Sequence, residues 1–237
     1  MTAGFSAEAE SGSAGLPCGR DRVLGPFDRC LLPVGGRVVP VPGGGRIAML
    51  VSGRMSSHQL LLVSGSLRAG STNTALLRTA QLAAPPGITA VLYDGLARLP
   101  YFSPDDDRPP LHPAVAELRA AIRASDAILF CTPEYAGAMP GSFKNMLEWT
   151  IGDDQPGSIY EKRVAWVNVS SAPTGAADAH RSLRTVLSYA HAAIVEDACA
   201  AIPVTRGDVH DGVVADPAIR DAIVRVLSAL LPPGPLP

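Results

Sequence analysis

The feature that most constrains this 237-residue chain is an alternation of two periodicities. Short, nearly unbroken apolar runs are separated by longer stretches in which apolar residues recur at helical spacing. QLLLVS (59–64), ITAVLYD (88–94), AILFCT (127–132) and RVAWVNVS (163–170) read as buried strands, and AIVEDACAAIPV (193–204) holds a short fifth. The intervening spacing predicts helices over 72–83, 112–124, 140–150, 176–191 and 216–231. A strand without a polar face must be covered on both sides, which parallel strands joined by helical crossovers achieve. The expected architecture is α/β: a doubly wound, five-stranded parallel sheet with helices on both faces. Ligands of such sheets sit beyond the carboxyl ends of the strands, near the point where the strand order reverses.

Residues 1–54 stand apart from this pattern. They hold eleven of the 23 glycines, six arginines and no lysine, and PVGGRVVPVPGGGR (33–46) cannot sustain a helix or a central strand. No secretory pattern is present, and Glu8 and Glu10 are out of place in a transit peptide. The expectation is a disordered leader over 1–54 and one domain over 55–237, with Met55 just before the first strand. A hydrophobic content of 47% supports a sizeable core, and a net charge of −2 gives no reason to expect nucleic acid or an anionic membrane as partner. No apolar run approaches the roughly 20 residues of a membrane span. Cys18, Cys30, Cys131 and Cys199 are widely spread with no CxxC pair, and read as free thiols of a cytoplasmic protein.

The first strand runs into GSLRAGST (65–72), a small-residue loop at a helix start, which is where proteins commonly hold phosphate. It matches the triphosphatase pattern G-x-x-x-x-G-K-[ST] except that Ser71 stands in place of Lys. Without that ammonium, triphosphate chemistry is poorly supported, and a nucleotide hydrolase is disfavoured. The dinucleotide fingerprint G-x-G-x-x-G fails as well, and Asp94 lies too far along to serve as its ribose-binding acid. Three hydroxyls (Ser66, Ser71, Thr72), Asn73 and one guanidinium, Arg68, suit a single terminal phosphate. The plain alternative is a capped helix with Arg68 solvated.

Two further small-residue loops follow the third and fourth strands. In TPEYAGAMPGSFKNMLEW (132–149), Pro133 forces an extended turn, and Pro133, Tyr135 and Ala136 offer a surface for a flat, partly apolar ligand. SSAPTGAA (170–177) rises at the same sheet edge. Each alone is ordinary turn chemistry. Three at successive strand ends are harder to dismiss.

With SGSLRAGSTN (64–73), TPEYAGAMPGSFKNMLEW (132–149) and SSAPTG (170–175) in view, the chain resembles the NADPH-dependent FMN reductases over roughly 58–205. That family is flavodoxin-like and includes quinone, azo-dye and chromate reductases. The resemblance implies FMN as cofactor and NADPH or NADH as hydride donor, with a flavin, quinone or similar small molecule as acceptor. Carried over by position, Ser64, Ser66, Arg68, Ser71, Thr72 and Asn73 would hold the FMN phosphate. Pro133, Glu134, Tyr135, Ala136 and Gly137 would line the isoalloxazine, with Ser170 and Ser171 near the ring or ribityl chain. Hydride chemistry is then the flavin's, and no side chain is expected as acid or base. Two departures stand out: Ala136 where many members have Asn, and Glu148 for the frequent Asp before Trp149. A homodimer or homotetramer is implied too, since the family completes its flavin site by self-association. The rival class is a non-enzymatic electron carrier of flavodoxin type, against which the near-neutral charge and small loop residues argue.

The remaining candidates are read as structural. The histidines (58, 112, 180, 191 and 210) have no metal-ligand spacing, and PDDDR (104–108) is expected to be a solvated acidic loop. Cys131 is expected in the core, whereas Met139, Phe143, Met146 and Trp149 suit either core or an association face equally.

Overall fold

The computed structural model describes residues 57–172 and 174–231, so the expected leader lies outside the described residues. In chain order the elements are β1 (His58–Ser64), α1 (Thr72–Leu82), β2 (Ile88–Tyr93), α2 (Pro113–Arg123), β3 (Ala127–Cys131) and α3 (Gly141–Ile151). They continue as β4 (Arg163–Asn168), α4 (Ala177–Tyr189), β5 (Ala193–Ile194), β6 (Ala200–Ala201), β7 (Val209–His210), β8 (Val213–Val214) and α5 (Pro217–Leu230). The main sheet is parallel in the order β2-β1-β3-β4-β5, with Leu60 opposite Ala127 and Ala127 opposite Arg163. Strand order reverses between β1 and β3, which puts a crevice beyond their carboxyl ends.

Alternation along β1 explains the two-sided burial. Leu60 and Leu62 face the layer of α1 and α5, while Leu61 and Val63 face α2, α3 and α4, and none of the four exceeds 3% exposure. Met139, Phe143, Met146 and Trp149 are all buried in the second layer, so they are core and leave no association face of their own.

Two expectations need correction. The fifth strand is broken: β5 and β6 both pair with β4, and the chain between them makes a short 3-10 turn over Glu196–Ala198. Glu196 and Asp197 cannot be buried in a central sheet, so they loop out to solvent, where Glu196 forms a two-pronged pair with Arg184. The acidic loop is not wholly solvated either. Asp107 turns inward to pair with Arg119 at 2.7 Å, leaving Asp105 and Asp106 exposed. The β7–β8 hairpin was not expected. Its turn residues, Asp211 and Gly212, both have left-handed φ (51° and 79°), as a two-residue hairpin turn requires.

Candidate active site

The three loops meet beyond β1, β3 and β4 and line a cleft of about 500 Å³, completed by Val204–Arg206 after β6. Gly65 lets the end of β1 close on the end of β3, beside the cleft-lining Thr132. Its amide donates to the Cys131 carbonyl (2.9 Å), and a Cβ there would lie 2.3 Å from the Thr132 hydroxyl, so no larger residue fits. Above it the loop is shaped by its own hydroxyls. Ser64 Oγ lies 2.8 Å from Thr74 Oγ1 and accepts from the Ser66 amide, and Ser66 Oγ accepts from the Arg68 amide. Ser71 is the N-cap of α1 but makes no side-chain capping bond, so the amides of the first turn retain their donor capacity. By contrast, α2 and α5 are capped by His112 and Asp216. Asn73 is buried, with Oδ1 accepting from the Cys131 thiol at 3.2 Å. Burial pushes that thiol far above its ordinary range, which suits a core residue rather than a redox one.

In the second loop, Pro133, Glu134 and Tyr135 line the cleft, while Ala136 (φ 51°) and Gly137 (φ 72°) form a two-residue turn beyond it. Tyr135 and Ala138 close the turn with backbone hydrogen bonds of 2.9 and 3.1 Å. Such turns favour Asn-Gly, which gives a backbone reason for the Asn many relatives are expected to carry at 136. In the third loop, Asn168 Oδ1 accepts from the Ser170 amide (2.9 Å) and its Nδ2 donates to the Gly175 carbonyl. That folds Ser170 and Ser171 over the cleft.

Glu134 joins the two loops. Its Oε2 accepts from the amides of Asp178 and Ala179, both at 3.0 Å, and so caps α4 from another element. The helix's own N-cap, Ala176 (φ 52°), has no side chain able to do this. His180 lies one turn on, with Nδ1 2.8 Å from the Ala176 carbonyl and Nε2 buried without a partner among the described residues. Burial lowers its pKa and keeps the ring neutral.

Ten of the residues singled out in the sequence therefore share one cleft: Ser66, Arg68, Ser71, Thr72, Asn73, Pro133, Glu134, Tyr135, Ser170 and Ser171. Ser64, Ala136 and Gly137 shape its loops without lining it. Sequence reasoning missed Thr132, Asn168, Thr174, Thr205 and Arg206. Asn168 ends a strand two residues before the start of SSAPTG, and Arg206 precedes a hairpin marked by Asp211-Gly212, so each carried a local signal.

Arg68 and Arg206 line this cleft without an ion-pair partner among the described residues. Hydroxyls, an uncapped helix start and guanidinium groups without an ion-pair partner among the described residues thus come together at the carboxyl edge of a doubly wound parallel sheet. The family model described as NADPH-dependent FMN reductase matches residues 59–206. An NAD(P)H-dependent FMN reductase of Pseudomonas aeruginosa is 39% identical over 132 residues, covering 55% of this chain and 70% of the relative. A quinone reductase of Escherichia coli is 31% identical over 139 residues, covering 58% and 73%. Among solved structures, the NAD(P)H:acceptor oxidoreductase FerB of Paracoccus denitrificans superposes with a TM-score of 0.58 at 24% identity, over 73% of this chain and 97% of that one. The chain belongs to the NADPH-dependent FMN reductase family, and is an NAD(P)H-dependent oxidoreductase with FMN as cofactor. Among the described residues, no helix is long and apolar enough to cross a membrane.

Proposed function

We propose that the cleft holds FMN with its phosphate on the 66–73 loop and its ring against Pro133–Tyr135, and that the enzyme reduces a quinone, a free flavin or a similar small acceptor. The observation that carries this reading is the convergence of an uncapped α1 start, Arg68 and the two later loops on one cleft. The residues present fit the cofactor. Ser66, Ser71, Thr72 and Arg68 supply donors for a phosphate, and Asn73 supports them from below. Pro133 and Tyr135 supply a partly apolar wall, and Ser170 and Ser171 supply hydroxyls for the ribityl chain or the ring edge.

Acceptance of hydride from NAD(P)H and its return to a second substrate are what FMN supplies when bound. The protein's part is positioning. Glu134 holds the 133–137 loop against α4, and free loop amides would meet negative charge at the ring edge when the flavin is bound. The electron-carrier alternative is not favoured, since the relatives are named as reductases. We place the enzyme in the cytoplasm as a homodimer or homotetramer, in which the exposed Leu67, Tyr101 and Tyr135 at the carboxyl edge would be covered.

The test is direct. FMN-loaded protein mixed with NADPH or NADH should consume the nucleotide, read at 340 nm, faster with a quinone or free flavin present. No turnover with any acceptor would leave a carrier as the reading. Residues 55–237 are proposed as the complete FMN-binding domain. Removing 1–54 should therefore leave the melting temperature and FMN affinity unchanged by calorimetry and titration.

A further inference from the structure

We infer that Arg206 is a second cationic contact for the FMN 5′-phosphate, so that the phosphate sits between guanidinium groups from two separate loops. This rests on the FMN placement proposed above. A phosphate monoester carries about −1.5 to −2 charges at neutral pH, and Arg68 balances only about half of that. The cleft's other cation is Arg206, from the turn that follows β6. The acid lining the cleft, Glu134, has its carboxylate committed to the α4 amides. Asp208, two residues beyond Arg206, is committed as well: its carboxylate accepts from both the amide and the hydroxyl of Thr205, at 2.7 Å each. Arg206 is thus held in a turn whose own acid does not neutralise it.

Arg206 lines the cleft together with Arg68, Ser71, Thr72 and Asn73, the residues proposed to hold the phosphate. The chain continues from Arg206 into the β7–β8 hairpin, and the Val214 amide at the hairpin's end donates to the buried Thr79 hydroxyl of α1 at 2.8 Å. That contact fastens the hairpin to the second half of α1, and Arg206 lines the same cleft as the open first turn of that helix. On the proposed FMN placement, its guanidinium is available to an anion resting on that turn. The competing destination is the ribose 2′-phosphate of NADPH.

Titration of the apo-protein with FMN and with riboflavin separates these cases. Arg206→Gln should weaken FMN about tenfold and leave riboflavin unchanged, with Arg206→Lys recovering much of the loss. The inference is overturned if FMN affinity is unchanged, whether or not the preference for NADPH over NADH shrinks. It is equally overturned if FMN and riboflavin weaken together, since that would mark a loss of shape rather than of charge. The underlying reading fails separately: wild-type protein would then bind riboflavin as tightly as FMN. If wild type prefers FMN and Arg68→Ala abolishes the preference while Arg206→Gln does not, only the role of Arg206 is lost.

Discussion

Two regions of this fold, one around α2 and the other at the start of α1, treat charge in opposite ways. Under the Pro-rich loop, Arg119 is buried, donates from Nε to the Trp149 carbonyl at the end of α3 (2.9 Å) and pairs with Asp107. Its neighbour Arg123 pairs with Asp153 at 2.7 Å. In the cleft, Arg68 and Arg206 are exposed and form no ion pair among the described residues, beside a helix start left uncapped. The first region is closed on itself; the second has unspent binding capacity. A substitution in the closed region should therefore cost stability and spare ligand, and one in the open region should do the reverse.

The largest effect is expected at Asp107. Asp107→Ala leaves the buried Arg119 charge unpartnered, at a cost of about 3–5 kcal/mol in urea unfolding. FMN affinity of the folded variant should stay within about twofold, because neither residue of the pair lines the cleft. A variant of normal stability that loses FMN would break the contrast. Arg68→Ala is the mirror case. It should weaken FMN by about 1.5–3 kcal/mol, roughly 10- to 100-fold, through lost charge-assisted hydrogen bonds. Its unfolding midpoint without cofactor should not move.

Glu134 sharpens the comparison because it is a satisfied residue inside the open region. Glu134→Gln retains an acceptor oxygen for the α4 amides but loses the charge at the helix start, a loss of about 0.5–1 kcal/mol in stability. Flavin reduction by NADPH, followed by stopped-flow bleaching, should fall less than about tenfold, whereas loss of an acid or base typically costs 10²–10⁴-fold. A thousandfold fall with FMN still bound would make Glu134 a chemical participant. The smallest change concerns the turn at the cleft's rim. Ala136→Asn should raise stability by about 0.5–1 kcal/mol in thermal melts, since Asn tolerates the left-handed conformation that Ala holds at a cost.

What was legible in the sequence follows the same division. The strands β1, β3 and β4 could be read because they are buried on both faces and so carry nearly unbroken apolar runs. The 65–72 loop could be read because its shape is set locally: Ser64, Ser66 and Gly70 fold it through neighbours within a few residues. What depends on distant partners could not. Asp107 reads as a solvated acid until α2 brings Arg119 to it, and Glu134 reads as a ring contact until α4 presents two open amides. Arg206 stayed hidden because its position depends on a hairpin docked on α1 through a contact spanning 135 residues. The broken fifth strand was partly visible in its two acids, although their effect on pairing depends on β4.

The Glu134 cap also bears on how quickly the protein can take up its cofactor. Because one carboxylate fastens the 133–137 loop to the start of α4, the two walls should move together, and the amides of Asp178 and Ala179 should exchange slowly with deuterium even in the empty protein. A cleft that keeps its shape when empty has little chain ordering left to complete on binding. Uptake should then proceed near the encounter rate, and differences in affinity among variants should appear chiefly in how long FMN stays bound.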